Sequence, residues 1–312
     1  IEFIIIFLFY FTMITIRFSD NIEHTYNNFE EILKLDNYND INYIDCGSNW
    51  LYVLPKLPNS LQILECWNNS LSNLPKLPNS LTYLQCSDNN ISSLPELPNS
   101  LTNLWCQYNN LSCLPELPNS LTKLASFHNQ KLSILPELPN SLTELHCYYN
   151  SLSNLPELPD SLIQLHCNNN NLSNLPELPD SLIKLNCNNN NLSILPILPY
   201  SLKHIVCHNN ILSSLPELPN SLEFVWCNNN NLSSLPELPN SLIRIYYNNN
   251  PIYEYIKTYF NGNEKKYIEY EKAMKRQFAN KLGDWFLDCK YNPKYLYCRK
   301  RLMKEYGEFY GE

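Results

Sequence analysis

Residues 81–100 read LTYLQCSDNNISSLPELPNS, and residues 101–120 read LTNLWCQYNNLSCLPELPNS. The two align without a gap, with Leu, Leu, Cys, Asn, a branched aliphatic and then Leu-Pro-Glu-Leu-Pro at the same places. Working outward, the octapeptide Leu-Pro-x-Leu-Pro-x-Ser-Leu begins at Leu54, Leu74, Leu94, Leu114, Leu135, Leu155, Leu175, Leu195, Leu215 and Leu235. The starts are evenly spaced except for the step from Leu114 to Leu135, which is one residue longer. The extra residue falls within Asn129-Gln130-Lys131-Leu132. Eleven units fit the frame, with position 1 at Ile41, Leu61, Leu81, Leu101, Leu121, Leu142, Leu162, Leu182, Leu202, Leu222 and Leu242. Such a period marks a solenoid, in which each unit buries its apolar side chains only by stacking on its neighbours.

Apolar residues recur at positions 1, 4, 6, 11, 14 and 17 of the unit, so about six side chains per turn are expected in a continuous core. Positions 3 to 6 are expected to form a short strand, paired in parallel with the next at roughly 4.8 Å, giving a sheet on the order of 50 Å long. Position 9 is Asn in every unit: Asn49, Asn69, Asn89, Asn109, Asn129, Asn150, Asn170, Asn190, Asn210, Asn230 and Asn250. Its amide has donors and an acceptor suited to backbone groups left unpaired where the chain leaves the strand. Leu-Pro-x-Leu-Pro fixes φ at its prolines and favours an extended, polyproline-like path over helix, so the convex side should be thin. Asn, which tolerates left-handed backbone, is expected in turns that glycine would otherwise fill.

The core pattern L-x-x-L-x-C-x-x-N-x-L is the leucine-rich-repeat signature with Cys at its third apolar position. The short Leu-Pro-x-Leu-Pro unit resembles the repeats of secreted bacterial effectors of the YopM and IpaH type. The wording LPELPNSLTELHCYYN and LPELPDSLIQLHCNNNNL, together with the tail WFLDCKYNPKYLYCRKRL, is similar to leucine-rich-repeat proteins of mimivirus-like giant viruses. The resemblance covers roughly residues 41 to 300. It implies a leucine-rich-repeat solenoid with a parallel β-sheet on its concave face, an extended convex side and an α-helical C-terminal cap. It also implies a protein partner, viral or host, and a place in the host cytoplasm or the virion rather than outside the cell.

Composition agrees with a non-enzymatic reading. The 312 residues include 22 Pro but only 5 Gly, which leaves little material for Gly-rich phosphate loops. A net charge of −8 disfavours nucleic acid. No cofactor, metal or membrane is expected, and a monomer is. In the IpaH comparison a large C-terminal domain with a nucleophilic Cys transfers ubiquitin. Here the stretch after the repeats, 251–312, is too short for such a domain, and no His follows His208 to activate Cys289 or Cys298.

Nine of the twelve Cys take position 6: Cys46, Cys66, Cys86, Cys106, Cys147, Cys167, Cys187, Cys207 and Cys227. Ser126 and Tyr247 fill it in the other two units. Stacked in register, such thiols have parallel Cβ vectors, which suit buried free thiols and not disulfides. Unpaired thiols in this number imply a reducing compartment.

The expected domains are an N-terminal segment and cap over 1–40, repeats over 41–252 and a helical cap over 253–312. The apolar run Phe3–Ile16 is too short for a transmembrane helix and lacks the basic start of a signal peptide. A translation start at Met13 is the preferred account, with 1–12 not native; a buried cap strand and a membrane or export segment are the alternatives. Ile14–Phe18 alternates like a strand and Asn27–Leu35 reads as a short helix. Residues 251–312 carry 13 Lys/Arg and 9 Asp/Glu, a net of +4. Met274, Phe278, Leu282, Trp285, Phe286 and Cys289 share a helical face, as do Tyr295, Cys298, Leu302, Tyr306 and Phe309. Two or three amphipathic helices are expected, with a break at Asn292-Pro293.

The exposed positions 3, 5, 7 and 8 define a candidate binding surface on the concave face. Its residues are Trp67, Trp105, Tyr108, Phe127, His128, His146, Tyr148, Tyr149, His166, His208 and Trp226, with His204 and Phe224 beside them. Aromatic and His residues are densest from Trp105 to His166, the composition of a protein-binding hot spot. His146 and His166 are too few for a metal site. Two further roles are alternatives: a subunit whose repeats hold a target while its basic helical tail docks on a larger machine such as a ubiquitin ligase, and a structural component of a virion.

Overall fold

The computed structural model describes residues 13–291. The chain divides into two compact units, one ending at Pro251 and the other beginning at Ile252.

The first unit is one 13-stranded sheet. Eleven of its strands, β3 to β13, are three residues long: Tyr43–Asp45, Ile63–Glu65, Tyr83–Gln85, Asn103–Trp105, Lys123–Ala125, Glu144–His146, Gln164–His166, Lys184–Asn186, His204–Val206, Phe224–Trp226 and Arg244–Tyr246. Each occupies positions 3 to 5 of its unit. They pair in parallel and in register, with Leu84 beside Leu104, Leu145 beside Leu165 and Ile205 beside Val225. The strand ends one residue earlier than the pattern suggests, yet cross-unit bonding continues: the position 6 amide of Cys66 donates to the Gln85 carbonyl at 2.8 Å. Ten steps between eleven strands span about 48 Å.

Positions 1, 4, 6 and 11 are buried almost without exception, as at Leu101, Leu104, Cys106 and Leu111. The expected inward position 17 is only half-buried in most units, including Leu97, Leu117, Leu138 and Leu158; the neighbouring Pro98, Pro118, Pro139 and Pro159 are buried instead. Between strands β3 and β13 the described chain forms no helix, because the prolines withhold amide donors and hold φ in the extended range.

Two side-chain ladders tie the turns together. The Asn170 amide donates to the carbonyls of Cys147 in the preceding unit and of Cys167 and Asn168 in its own, at 2.9, 3.1 and 3.3 Å. Its oxygen accepts from the Leu152 amide of the preceding unit at 3.0 Å. The same set recurs, for example, at Asn109, Asn190, Asn210 and Asn230. On the other side of the core, the position 20 Ser hydroxyl donates back to the position 1 carbonyl that opens its own unit. Ser80 does so to Leu61, Ser161 to Leu142 and Ser221 to Leu202, each at 2.7 Å. The end of each turn is thereby held over its start, and the next unit begins alongside the last.

The N-terminal side of the repeats is closed by an antiparallel hairpin. Strand β1 (Ile14–Arg17) pairs with β3 on one side and with β2 (Glu23–Tyr26) on the other. Ile14 and Ile16 are buried, as are Phe29 and Ile32 of the one-turn helix α1 (Phe29–Ile32), whose amino end is capped by Asn28. The expected strand and helix are both present, the helix shorter than its pattern; β2 has no counterpart in the sequence reading. Asn49, which has no upstream repeat, sends its amide to the carbonyls of Met13 and its own Gly47. The expectations for residues 1–12 lie outside the described residues.

The second unit holds helix α2 (Pro251–Phe260), apart from its first residue, and helix α3 (Glu264–Tyr291). Ile252, Ile256, Tyr267 and Ile268 are buried, and Tyr255, Phe260 and Tyr267 meet edge-on or tilted. Met274, Phe278 and Leu282 on α3 are exposed. The side chains of Trp285, Phe286 and Cys289, the Asn292-Pro293 break and the face carrying Tyr295, Cys298, Leu302, Tyr306 and Phe309 lie outside the described residues.

The position 6 cysteines are all buried and free, while Cys113 is free and exposed. Burial pushes the thiols of Cys86 and Cys147 up to about 12 and those of Cys66 and Cys187 well above their ordinary value. Site-resolved alkylation of the native protein should therefore modify Cys113 and spare the nine ladder cysteines until unfolding. Because the unfolded thiols ionise at about 8.5 and the folded ones far higher, the unfolded state loses protons first, so stability should fall as pH rises above about 9. A urea titration at pH 7, 9 and 10 measures this. Asn170→Ala should cost about 1–3 kcal/mol by orphaning buried backbone groups, read from the same titration at pH 7.

Candidate functional site

Parallel pairing of the strands places equivalent side chains in columns. Position 5 carries Trp105, the buried Ala125, His146, His166, Asn186 and, further on, Trp226. Position 7 carries Trp67, Gln107, Phe127, Tyr148 and His208, and position 8 carries Tyr108, His128 and Tyr149. Positions 7 and 8 lie just past the strands rather than on them.

Position 8 has a backbone property that side-chain spacing does not disclose. In all eleven units its φ is positive, between 49° at Asn68 and 57° at Ser48. Six units put Asn there, one Asp and one Ser, the short polar residues that tolerate left-handed backbone. The three consecutive exceptions are Tyr108, His128 and Tyr149, with φ of 53°, 54° and 51°. The bulky rings of Tyr108 and Tyr149 cost about 1 kcal/mol or more each in this region, whereas His, like Asn and Asp, is tolerated there.

These rings are brought together. Tyr108 stacks on His128 at 4.3 Å between centroids, and His128 on Tyr149 at 4.4 Å. Beside them Phe127 stacks on Tyr148 at 4.2 Å, and the two columns meet edge-on. The result is a two-column aromatic slab. Tyr108 and Tyr149 at its ends are 45% and 47% exposed, the others half-buried. In the downstream units the same position forms a ladder of amides instead, Asn209 donating to Asn189, Asn229 to Asn209 and Asn249 to Asn229 at 2.5–2.6 Å.

The slab coincides with the irregular unit. The extra residue falls just after His128 and is absorbed in a turn, the Leu132 amide donating to the Asn129 carbonyl at 2.8 Å. The Asn150 oxygen, which in a regular unit would accept from position 11, accepts from the Asn129 amide at 2.7 Å. The strands on either side keep their register. This is also the unit with Ser126 in the cysteine column, its hydroxyl buried without a partner.

Next to the slab, His146 and His166 face one another at 4.6 Å between ring centroids. Burial, together with the neighbouring His146 and Lys184, holds His166 down to about 4, with Glu144 opposing. Burial also lowers His146, partly offset by Glu144 at 3.9 Å, and lowers His128 and His208. In all four the shift favours the neutral imidazole. Lys123 and Glu144 pair at 2.9 Å. Several polar atoms here are shielded from water and unpaired: Trp105 Nε1, Gln107 Oε1, His166 Nε2 and Asn186 Oδ1.

The remaining candidates stand apart from the slab. Trp67 lies over Gly47, where a Cβ would come within 2.5 Å of the indole, so it covers the first repeat. Trp226 meets Tyr246 edge-on at 5.8 Å, and His204 meets Phe224 at 5.0 Å. Among the described residues no cluster of three or more His, Cys, Asp or Glu is arranged to hold a metal, and no helix is long and apolar enough to cross a membrane.

An in-register parallel sheet, an extended proline-bound return and a position 9 Asn ladder together define a leucine-rich-repeat solenoid, a fold that generally mediates protein–protein interaction. Among solved structures the chain is similar to YopM, a leucine-rich effector protein from Yersinia pestis, with 40% identity, 67% of this chain and 61% of that chain covered, and a TM-score of 0.64. YopM from Yersinia enterocolitica is 34% identical over 65% of this chain and 54% of that one, with a TM-score of 0.48. The chain thus spans less than two thirds of either YopM structure. The functional domain of InlJ from Listeria monocytogenes, which includes a cysteine ladder, is 23% identical over 69% and 56% with a TM-score of 0.51, a likeness of fold alone. No family model and no curated protein sequence matches the chain.

The histidine pair supplies a test of the local electrostatics. His166 should titrate at about 4 by NMR, well below a free imidazole, and His146→Gln should raise it by removing one charge that opposes its protonation.

Proposed function

We propose that this chain is a non-enzymatic binding module that holds a protein partner, viral or host, on its concave face. The observation that carries the reading is the concentration of exposed and half-exposed rings in three adjacent units, beside polar atoms left unpaired on the strand face. Aromatic anchors with desolvated polar neighbours are the composition of an interface hot spot. Nine free, buried thiols fit a reducing compartment, for which we propose the cytoplasm of a virus-infected cell. The likeness to the Yersinia pestis effector supports an interaction role.

A second reading is a recruiting subunit whose helical tail docks elsewhere. It draws on the exposed Met274, Phe278 and Leu282 of α3 and on the net +4 of residues 251–312.

Affinity capture from infected and uninfected host cells, using the full chain and a folded Trp105→Ala/His146→Ala/Tyr148→Ala variant, separates the two. The concave-face reading expects a partner retained by the unmutated chain and lost, by tenfold or more, by the variant. Equal capture by both chains counts against it and directs attention to α3.

A further inference from the structure

The slab raises a narrower question, because three rings occupy a backbone position that eight other units fill with Asn, Asp or Ser. A tolerant surface under no demand would keep the short polar residue that left-handed backbone favours. Strained backbone at Tyr108 and Tyr149, on either side of His128 and at the one place where the repeat length also changes, is the pattern of a site whose geometry serves binding.

The chemistry around the slab restricts the occupant. At positions 3, 5, 7 and 8 the three slab units carry formal charge only on Lys123 and Glu144, and these neutralise each other. Burial favours the neutral form of the His128 and His146 imidazoles. The three units therefore supply no net positive charge to attract a phosphate backbone or an anionic headgroup, and the position 8 neighbour of Tyr108 in the preceding unit is the acidic Asp88. What the surface offers is ring edges, two half-exposed tyrosine faces, and the phenolic hydroxyls of Tyr108 and Tyr149, each able both to donate and to accept a hydrogen bond. An extended polypeptide presents carbonyls and amides in alternation and can satisfy both, while an uncharged apolar side chain packs on the rings.

We propose that the slab formed by Tyr108, His128 and Tyr149 with Phe127 and Tyr148 is the docking site for an uncharged, extended peptide segment of the partner. This rests on the protein-binding reading and narrows it to one place and one chemistry.

The test uses a random dodecamer peptide display library against the full chain, with a Tyr108→Asn/His128→Asn/Tyr149→Asn variant as counter-selection. Enrichment of an uncharged consensus that binds the unmutated chain at least tenfold more tightly than the variant is the expected result. Its affinity should change less than about threefold between 50 and 500 mM salt, since no counterions are released. The variant installs the residue that six other units use at this left-handed position, so its thermal midpoint should be no lower than that of the unmutated chain. A charged or strongly salt-dependent consensus, or enrichment indifferent to the variant, overturns the proposal. So does a midpoint lowered by more than about 5 °C, which would assign the rings to packing. If a partner is captured through Trp105, His146 and Tyr148 but no peptide is enriched, the peptide proposal fails and the protein-binding reading stands.

Discussion

A solenoid with so short a repeat leaves buried backbone groups at each corner, and the position 9 amide satisfies them. The side chain of Asn170 reaches two carbonyls in its own unit, one carbonyl in the unit before and the Leu152 amide of that unit. It therefore ties the corner internally and sets the offset between neighbours. Strand register, the stacking of position 6 cysteines and the alignment of exposed side chains into columns follow from that offset. At the opposite corner the Ser bonds to position 1 close the end of each unit onto its own start, while the Asn bonds reach into the preceding unit. No side chain substitutes well for Asn here: Asp lacks the donors, and Gln is a methylene too long for the same reach.

Much of this was legible in the chain. The constant period, the apolar positions and the recurring Asn specify a parallel solenoid, and proline at two places in each return excludes helix there. Other features were hidden for identifiable reasons. Ser80 and its equivalents look like ordinary turn residues, and only the fold shows that their hydroxyls reach back to the start of the turn. Strand β2 has the composition of an exposed edge, Glu-His-Thr-Tyr, with no apolar alternation to mark it. Position 17 reads as core because it is Leu, yet in most units its neighbouring proline takes the deeper place.

The candidate site was legible as a set of side chains but not as a geometry. Aromatic and His enrichment from Trp105 to His166 is plain in the sequence. That Tyr108, His128 and Tyr149 sit on left-handed backbone is not, because φ depends on how the corner is closed. The clue available was indirect: position 8 is Asn in most units, and Asn recurring at a turn is a sign of positive φ. Trp67 also lies over Gly47, a contact that its place in the repeat does not disclose.

The extra residue after His128 has a consequence for how such a chain can change. Because the turn absorbs it and the strands on either side remain paired, the insertion acts as a local dislocation that does not propagate along the stack. Whole units can then be gained or lost on either flank as beads on a thread, each shifting everything beyond it by about 4.8 Å. The three units that hold the rings stay contiguous when this happens, and those on either side change only their distance from the rings. In that sense the repeats form a ruler with one marked graduation.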